Sequence, residues 1–203
     1  MIQPRRKGRR ADPSKDEAIL EAASDLFTRR GYGVSIDEIA AIAGVSKQTI
    51  YARYASKHAL LAAVVQKTAE DLVSPLSIGS APPEEALVEF GERFADVIFN
   101  PAKIAMQRLI IAEAAQFPDL ARAYYESGPQ YVRARLSAYI ERASAAGKLK
   151  SNDAATAASQ FLGLVIGADH MRLLLGVDGA ENQKSRRDRV RAAVDAFLRI
   201  YAP

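Results

Sequence analysis

The sequence predicts an all-α protein in which a small N-terminal three-helix unit precedes a larger helical bundle. Three observations lead there. Apolar residues recur at i, i+3, i+4 and i+7 in segment after segment, as along Ile36, Ile39, Ala40 and Ala43. Small polar residues able to cap a helix stand before these segments, and glycine or proline ends them. No run alternates apolar and polar residues between turn signals, as a half-buried strand does. With 203 residues, 49% of them hydrophobic, the chain can bury one sizeable core or two small ones.

The first helix is expected at about 14–31. Ala18, Ile19, Ala22, Ala23, Leu26 and Phe27 form a continuous apolar stripe, and Gly31 ends it. Ser35 precedes the second helix with Glu38 three residues on, the pairing of a capping box. Gly44 supplies a sharp turn, where a residue without Cβ adopts positive φ, and Ser46 caps a third, short helix. Ile50 is its one strong anchor, with the ring of Tyr54 four residues on to share the inner face. Ser56 caps a fourth helix carrying Leu60, Leu61, Val64 and Val65.

The second and third helices with their glycine turn read as a helix-turn-helix, which points to DNA. Lys47, Gln48, Thr49, Tyr51, Arg53 and Tyr54 supply groups able to meet bases and phosphates, and Gln48 suits bidentate contact with adenine. Ser35 and Ser46 sit at helix N-termini, where backbone N–H groups face anions. Charge agrees. Residues 1–60 hold 11 Lys or Arg against 7 Asp or Glu, whereas 61–203 hold 17 of each, so the whole net charge of +4 lies with the motif. Arg5, Arg6, Lys7, Arg9 and Arg10 cluster in an expected flexible arm, 1–13, able to add phosphate or minor-groove contacts.

Ala18 to Ala23, Leu26-Phe27 and Gly31 to Gly33 resemble the tetracycline-repressor (TetR) family of bacterial regulators. Ile39-Ala40, Ala43 to Ser46, Thr49 to Tyr51, Tyr54, Ser56-Lys57 and Leu60-Leu61 continue the resemblance. The family commonly has glycine where this chain has Gln48 and an acidic residue where it has His58. The resemblance implies a DNA-binding head at 14–60 and an effector-binding and dimerisation body at 61–203, joined through the fourth helix. It makes Lys57 a phosphate-contacting lysine. It further implies a sequence-specific regulator, most often a repressor released from an inverted-repeat operator of double-stranded DNA by a small molecule. The C-terminal half resembles AefR-type members.

Beyond Ser74-Pro75 to Pro82-Pro83, a cluster of serine, glycine and proline, six further helices are expected. They run at about 83–99, from Asn100-Pro101 to Phe117-Pro118, from Asp119 to a break at Gly128-Pro129, and on to Gly147. A long one then reaches Leu175, and the last spans 184–201. By the resemblance, the last two pair with a second copy through Phe161, Val165, Val190, Val194, Phe197 and Tyr201, making a homodimer. Two-fold pairing sets recognition helices roughly 34–36 Å apart, or a multiple. The same resemblance implies that the central helices enclose a small-molecule pocket, and the residues there suggest an aromatic, largely apolar effector. Candidate liners are Phe94, Ile98, Met106, Ile110, Phe117, Tyr124, Tyr131 and Phe161, with His170 among the polar anchors. Gln107, Arg108, Glu113, Gln116, Asp169 and Arg172 complete that polar set.

Other classes find no support in the residues. There is no cysteine, phosphate-cradling glycine loop, H-E-x-x-H or serine elbow, so an enzyme is not expected. With His58 and His170 the only histidines, neither a metal site nor a cofactor is expected. No apolar stretch reaches membrane length, which leaves a cytoplasmic protein as the expectation. Deleting residues 1–10 should flatten the salt dependence of DNA binding, read as the slope of log affinity on log salt; an unchanged slope excludes arm contact.

Overall fold

The computed structural model describes residues 13–77, 81–177 and 183–203, and among these every regular element is helical. α1 (Pro13–Arg30), α2 (Ile36–Ile42) and α3 (Lys47–Tyr51) form the head, and α4 (Lys57–Val73) leads out of it. The body holds α5 (Pro83–Ile98), α6 (Pro101–Glu113), α7 (Pro118–Tyr125), α8 (Tyr131–Ala145), α9 (Ala154–Ile166), α10 (Asp169–Leu175) and α11 (Gln183–Tyr201). The expected caps are in place at Ser46 and Ser56, each accepting a first-turn N–H, and Asn100 and Asp153 cap α6 and α9. No described helix is long and apolar enough to cross a membrane.

Two cores result. Ile19, Ala23, Leu26 and Phe27 of α1 close over Ile39 and Ile50, so the first helix covers the two shorter ones. Met106 and Ile110 of α6 and Leu120 of α7 join this same core, which ties the head to the body. The second core gathers Leu72 of α4, Phe90 of α5, Leu136 of α8, Phe161 of α9 and Phe197 of α11.

Three expectations change. Gly128-Pro129 does not break the chain, because Glu126–Gln130 forms a π-helical turn that carries α7 into α8. The wider turn tolerates Pro129, which has no N–H to give. The expected helix to Leu175 is two helices, because Gly167 adopts φ 58° and ψ −169°, a backbone state reserved for glycine. Arg189 then fills the space beside Gly167 and pairs at 2.5 Å with Asp169, in the first turn of α10. The body therefore has seven α-helices among the described residues.

The third change concerns the expected dimer residues. Phe161, Val165, Val190 and Phe197 are 0% exposed and Val194 is 1% exposed within one chain. Phe161 meets Phe197 edge-on, ring centroids 5.3 Å apart, and lies 6.0 Å from Phe90. Tyr201 is half-buried, and its hydroxyl donates to Gln160 at 2.6 Å. An apolar stripe reports that a face is buried and not by which chain, and here α5, α9 and α11 bury one another's. Phe161→Ala should therefore destabilise the fold by about 3–5 kcal/mol in urea unfolding. Unaltered stability combined with lost self-association would restore Phe161 to an interface.

Candidate nucleic-acid interface and cavity

The capping box at the start of α2 is complete. Ser35 donates its backbone N–H to Glu38 at 2.8 Å and accepts the Glu38 N–H at 3.2 Å, while Arg30 pairs with Glu38 at 2.6 Å. The Ser35 backbone and side-chain bonds, then Arg30, hold the Glu38 carboxyl down at about 2. Gly44 turns the chain at φ 64°, and Val45 donates back to the Ala40 carbonyl at 3.0 Å. α3 then begins at Ser46, whose hydroxyl accepts the Thr49 N–H at 3.1 Å. Ile50, 1% exposed, pins this helix to the core.

That anchor fixes what faces out. Lys47, Gln48 and Tyr51 are exposed along one side of α3, and Thr49 is half-buried beside Ser46. Lys47 is not free, for it pairs with Asp37 in the first turn of α2 at 2.8 Å, which raises the lysine pKa. Tyr54 packs inward on the head core as expected, and burial raises its pKa. Arg53 departs from expectation. Its guanidinium lies 2.5 Å from Asp16 and its side chain is 17% exposed, so it braces the end of α3 against α1 instead of joining the outer face. Its place one step before Tyr54 turns it toward α1.

Lys57 opens α4 and donates to the Tyr32 carbonyl, with its ammonium 4.2 Å from the centre of the Tyr32 ring. Burial lowers its pKa, and the negative Glu38 opposes that shift. Tyr32 also stacks on Phe27 at 5.9 Å and on His58 at 5.8 Å, and His58 reaches Phe117 at 6.4 Å. This aromatic run links the head to the α6–α7 corner. Sequence reasoning assigned Tyr32 no role, although an aromatic between two glycines was a usable signal. Arg5, Arg6 and Arg9 lie outside the described residues.

A cavity of about 390 Å³ is lined by residues of α4 to α10 and of the π-helical turn between α7 and α8. Of the expected liners, Phe94, Ile98, Ile110, Tyr124 and His170 stand on its wall. The other four do not. Met106 belongs to the head core, and Phe161 fills the body core between Phe90 and Phe197. Phe117 is 43% exposed beside His58, and Tyr131 packs against the body core. Met106, Tyr131 and Phe161 are on helices whose rotation points them elsewhere, and Phe117 is in the link between α6 and α7.

Of the polar set, Gln107 and His170 line the cavity, whereas Arg108 donates to the Leu173 and Leu174 carbonyls at the end of α10. Burial raises the Tyr124 pKa, and a hydrogen bond from Gln107 opposes it. Sequence reasoning missed Lys103 and the contribution of α4, namely Val65, Thr68, Ala69 and Leu72. Among the described residues, no group of three or more His, Cys, Asp or Glu could hold a metal ion.

Residues 19–64 match the profile of bacterial regulatory proteins of the tetR family, and residues 85–203 match the C-terminal domain of AefR-like transcriptional repressors. This chain belongs to the TetR family. Its helix-turn-helix is therefore a DNA-binding one, and the protein is a transcriptional regulator and not an enzyme. A TetR-family regulator from Mesorhizobium loti superposes with a TM-score of 0.76 at 29% identity, covering 96% of this chain and 100% of that one. The flavonoid-responsive regulator FrrA superposes at 0.68 and 35% identity, over 95% of this chain and 99% of its own.

The transcriptional activator FasR of Mycolicibacterium smegmatis is 47% identical over 57 residues, which is 28% of this chain and 26% of FasR. The match with the regulator RutR of Escherichia coli takes in 34% of each chain. The chain thus spans about a quarter to a third of these two curated relatives.

Because the Glu38 carboxyl sits near 2 when folded and near 4.5 otherwise, its stabilising effect is present above pH 4.5 and fades as pH falls toward 2. Acid melts of the head should lose stability through that window, and Glu38→Gln should remove that part of the slope. Identical pH profiles for the two proteins would contradict it.

Proposed function

We propose that this TetR-family chain is a homodimeric repressor that leaves an inverted-repeat operator when a small aromatic effector enters the cavity. One observation carries the reading. α4 buries Leu60, Leu61 and Val64 in the head core and lines the cavity with Val65, Thr68, Ala69 and Leu72. A ligand that presses on this wall acts on the helix holding the head. The AefR-like repressor domain supports repression, and the likeness to a regulator named for its response to flavonoids supports an aromatic effector.

On the operator, Gln48 and Tyr51 face base edges in the major groove, while Lys47, Thr49 and Lys57 meet phosphates with Ser35 and Ser46 at their helix N-termini. Lys47 must exchange Asp37 for a phosphate to do so. Arg53 and Tyr54 support α3 from behind, and the arm with Arg5, Arg6 and Arg9 adds charge. The second copy docks on the outer sides of α9 and α11, where Gly163, Leu164 and Ile200 are exposed. The protein works in the cytoplasm on double-stranded DNA. DNA and effector then oppose each other reciprocally, by about 1–3 kcal/mol of coupling.

Selection of bound duplexes from a random pool tests this. The expected result is one inverted repeat preferred by roughly 10³-fold or more over other DNA, with binding weakened by an added flavonoid. Equal affinity for all duplexes would instead mark an architectural binder. Tyr51→Ala should weaken operator binding without unfolding the protein. Gln48→Ala should change the preference at one base pair by about 1–3 kcal/mol, and a uniform loss on every sequence would remove Gln48 from readout.

A further inference from the structure

Lys103 stands in the first turn of α6, at the positive end of that helix, where a cation is disfavoured. Its neighbours do nothing to compensate. Asn100 accepts the Ala102 and Lys103 backbone N–H groups at 2.9 and 3.3 Å, so the cap is satisfied without the lysine. Lys103 lines the cavity, and among the described residues no aspartate or glutamate does. Burial lowers its pKa, with no nearby charge acting against that shift. An ammonium drawn out of water toward an apolar wall without an acid is costly unless something else supplies the anion.

A second group points the same way. His170 lines the same cavity, and its buried Nε2 has no hydrogen-bond partner among the described residues. Its ring meets Phe99 edge-on at 6.1 Å, and Phe99 directly precedes the α6 cap. His170 and Lys103 thus face the same cavity, each from the first turn of its helix. One turn along α6, Gln107 also lines the cavity, with the Tyr124 phenol, whose pKa burial raises against the influence of Gln107. Thr68 turns its hydroxyl to the Val64 carbonyl at 3.0 Å, and the remainder of the wall is largely hydrocarbon, including Leu72, Phe94, Ile98, Ile110, Leu162 and Ile166. A charged group of one sign and an apolar, partly aromatic remainder describe a ligand of matching chemistry. The volume suits a molecule of two or three rings.

We propose, resting on the effector-cavity reading above, that the ligand is an aromatic anion whose carboxylate or ionised phenol oxygen pairs with Lys103, with His170 as a neighbouring hydrogen-bond partner. The ring system lies along the apolar wall. The anion replaces the acid that the chain does not provide, so a neutral molecule of the same shape binds less tightly.

Anilinonaphthalene sulfonate, an aromatic anion that fluoresces when taken out of water, serves as the reporter on the full-length protein. Naphthoate, naphthol and methoxynaphthalene then compete for its place. The carboxylate or the phenol should displace the reporter at least about tenfold more effectively than the methoxy compound, as expected for a hydrogen bond to a charged group. Whichever of the two is stronger names the oxygen acid that the site reads. With the reporter's own affinity measured on each variant, Lys103→Met should abolish that advantage and leave the inhibition constant of methoxynaphthalene unchanged, while Lys103→Arg should keep the advantage.

Three equal competitors, or a preference that survives Lys103→Met, overturn the proposal and leave the cavity reading standing. If none of the three displaces the reporter, the cavity does not take ring-sized ligands, and the effector-cavity reading falls with the proposal.

Discussion

Leu60, Leu61 and Val64 lie in the core of the head, and Ala69, Leu72 and Val73, about two turns further along the same helix, lie in the core of the body. α4 runs without interruption between these sets. A continuous hydrogen-bonded helix does not stretch, so neither core can shift its part of α4 alone. Gly128 shows how little slack there is, since a Cβ there would come within 2.8 Å of Val65. The π-helical turn containing Gly128 and the side of α4 containing Val65 both line the cavity. Filling that space must therefore be accommodated by relative movement of packed elements.

In the proposed mechanism the head transmits such a movement. α3 has a single buried anchor, Ile50, and takes its orientation from the capped start at Ser46 and the Arg53–Asp16 pair on α1. α1 in turn packs on α4 through the core containing Ile19 and Leu60. Lys57, held by Tyr32, sits where α4 meets the segment before α2. Exposed ion pairs such as Lys47–Asp37 contribute little stability. That suits Lys47 to the proposed exchange of Asp37 for a phosphate.

The head was legible in the sequence because its signals are local. Ser35 with Glu38, Gly44, and Ser46 before a sparse apolar helix each act within four residues, and each acts in the structure as its spacing implies. The body was legible only as helices. Its stripes, such as Val190, Val194 and Phe197, announced burial, but whether against α5 and α9 or against a second chain depends on helix rotation, which periodicity does not encode. Gly128-Pro129 misled for a related reason, since a proline that breaks an α-helix can be absorbed by a wider turn. The cavity was the least legible part. Five of its nine expected residues stand on the wall, while Lys103 carried no sequence signal beyond having the wrong sign for its place in α6.

The central claim is that the cavity and the DNA-binding head share α4 and so cannot move independently. The chain contains no cysteine, so Ala41→Cys on the exposed side of α2 accepts one spin label per subunit. The distance distribution between two labels in the proposed dimer, measured with the cavity empty and then saturated with the proposed aromatic anion, reads the separation of the heads directly. The account predicts a shift of several ångströms away from the spacing that fits the DNA. An unchanged distribution at saturation would contradict it.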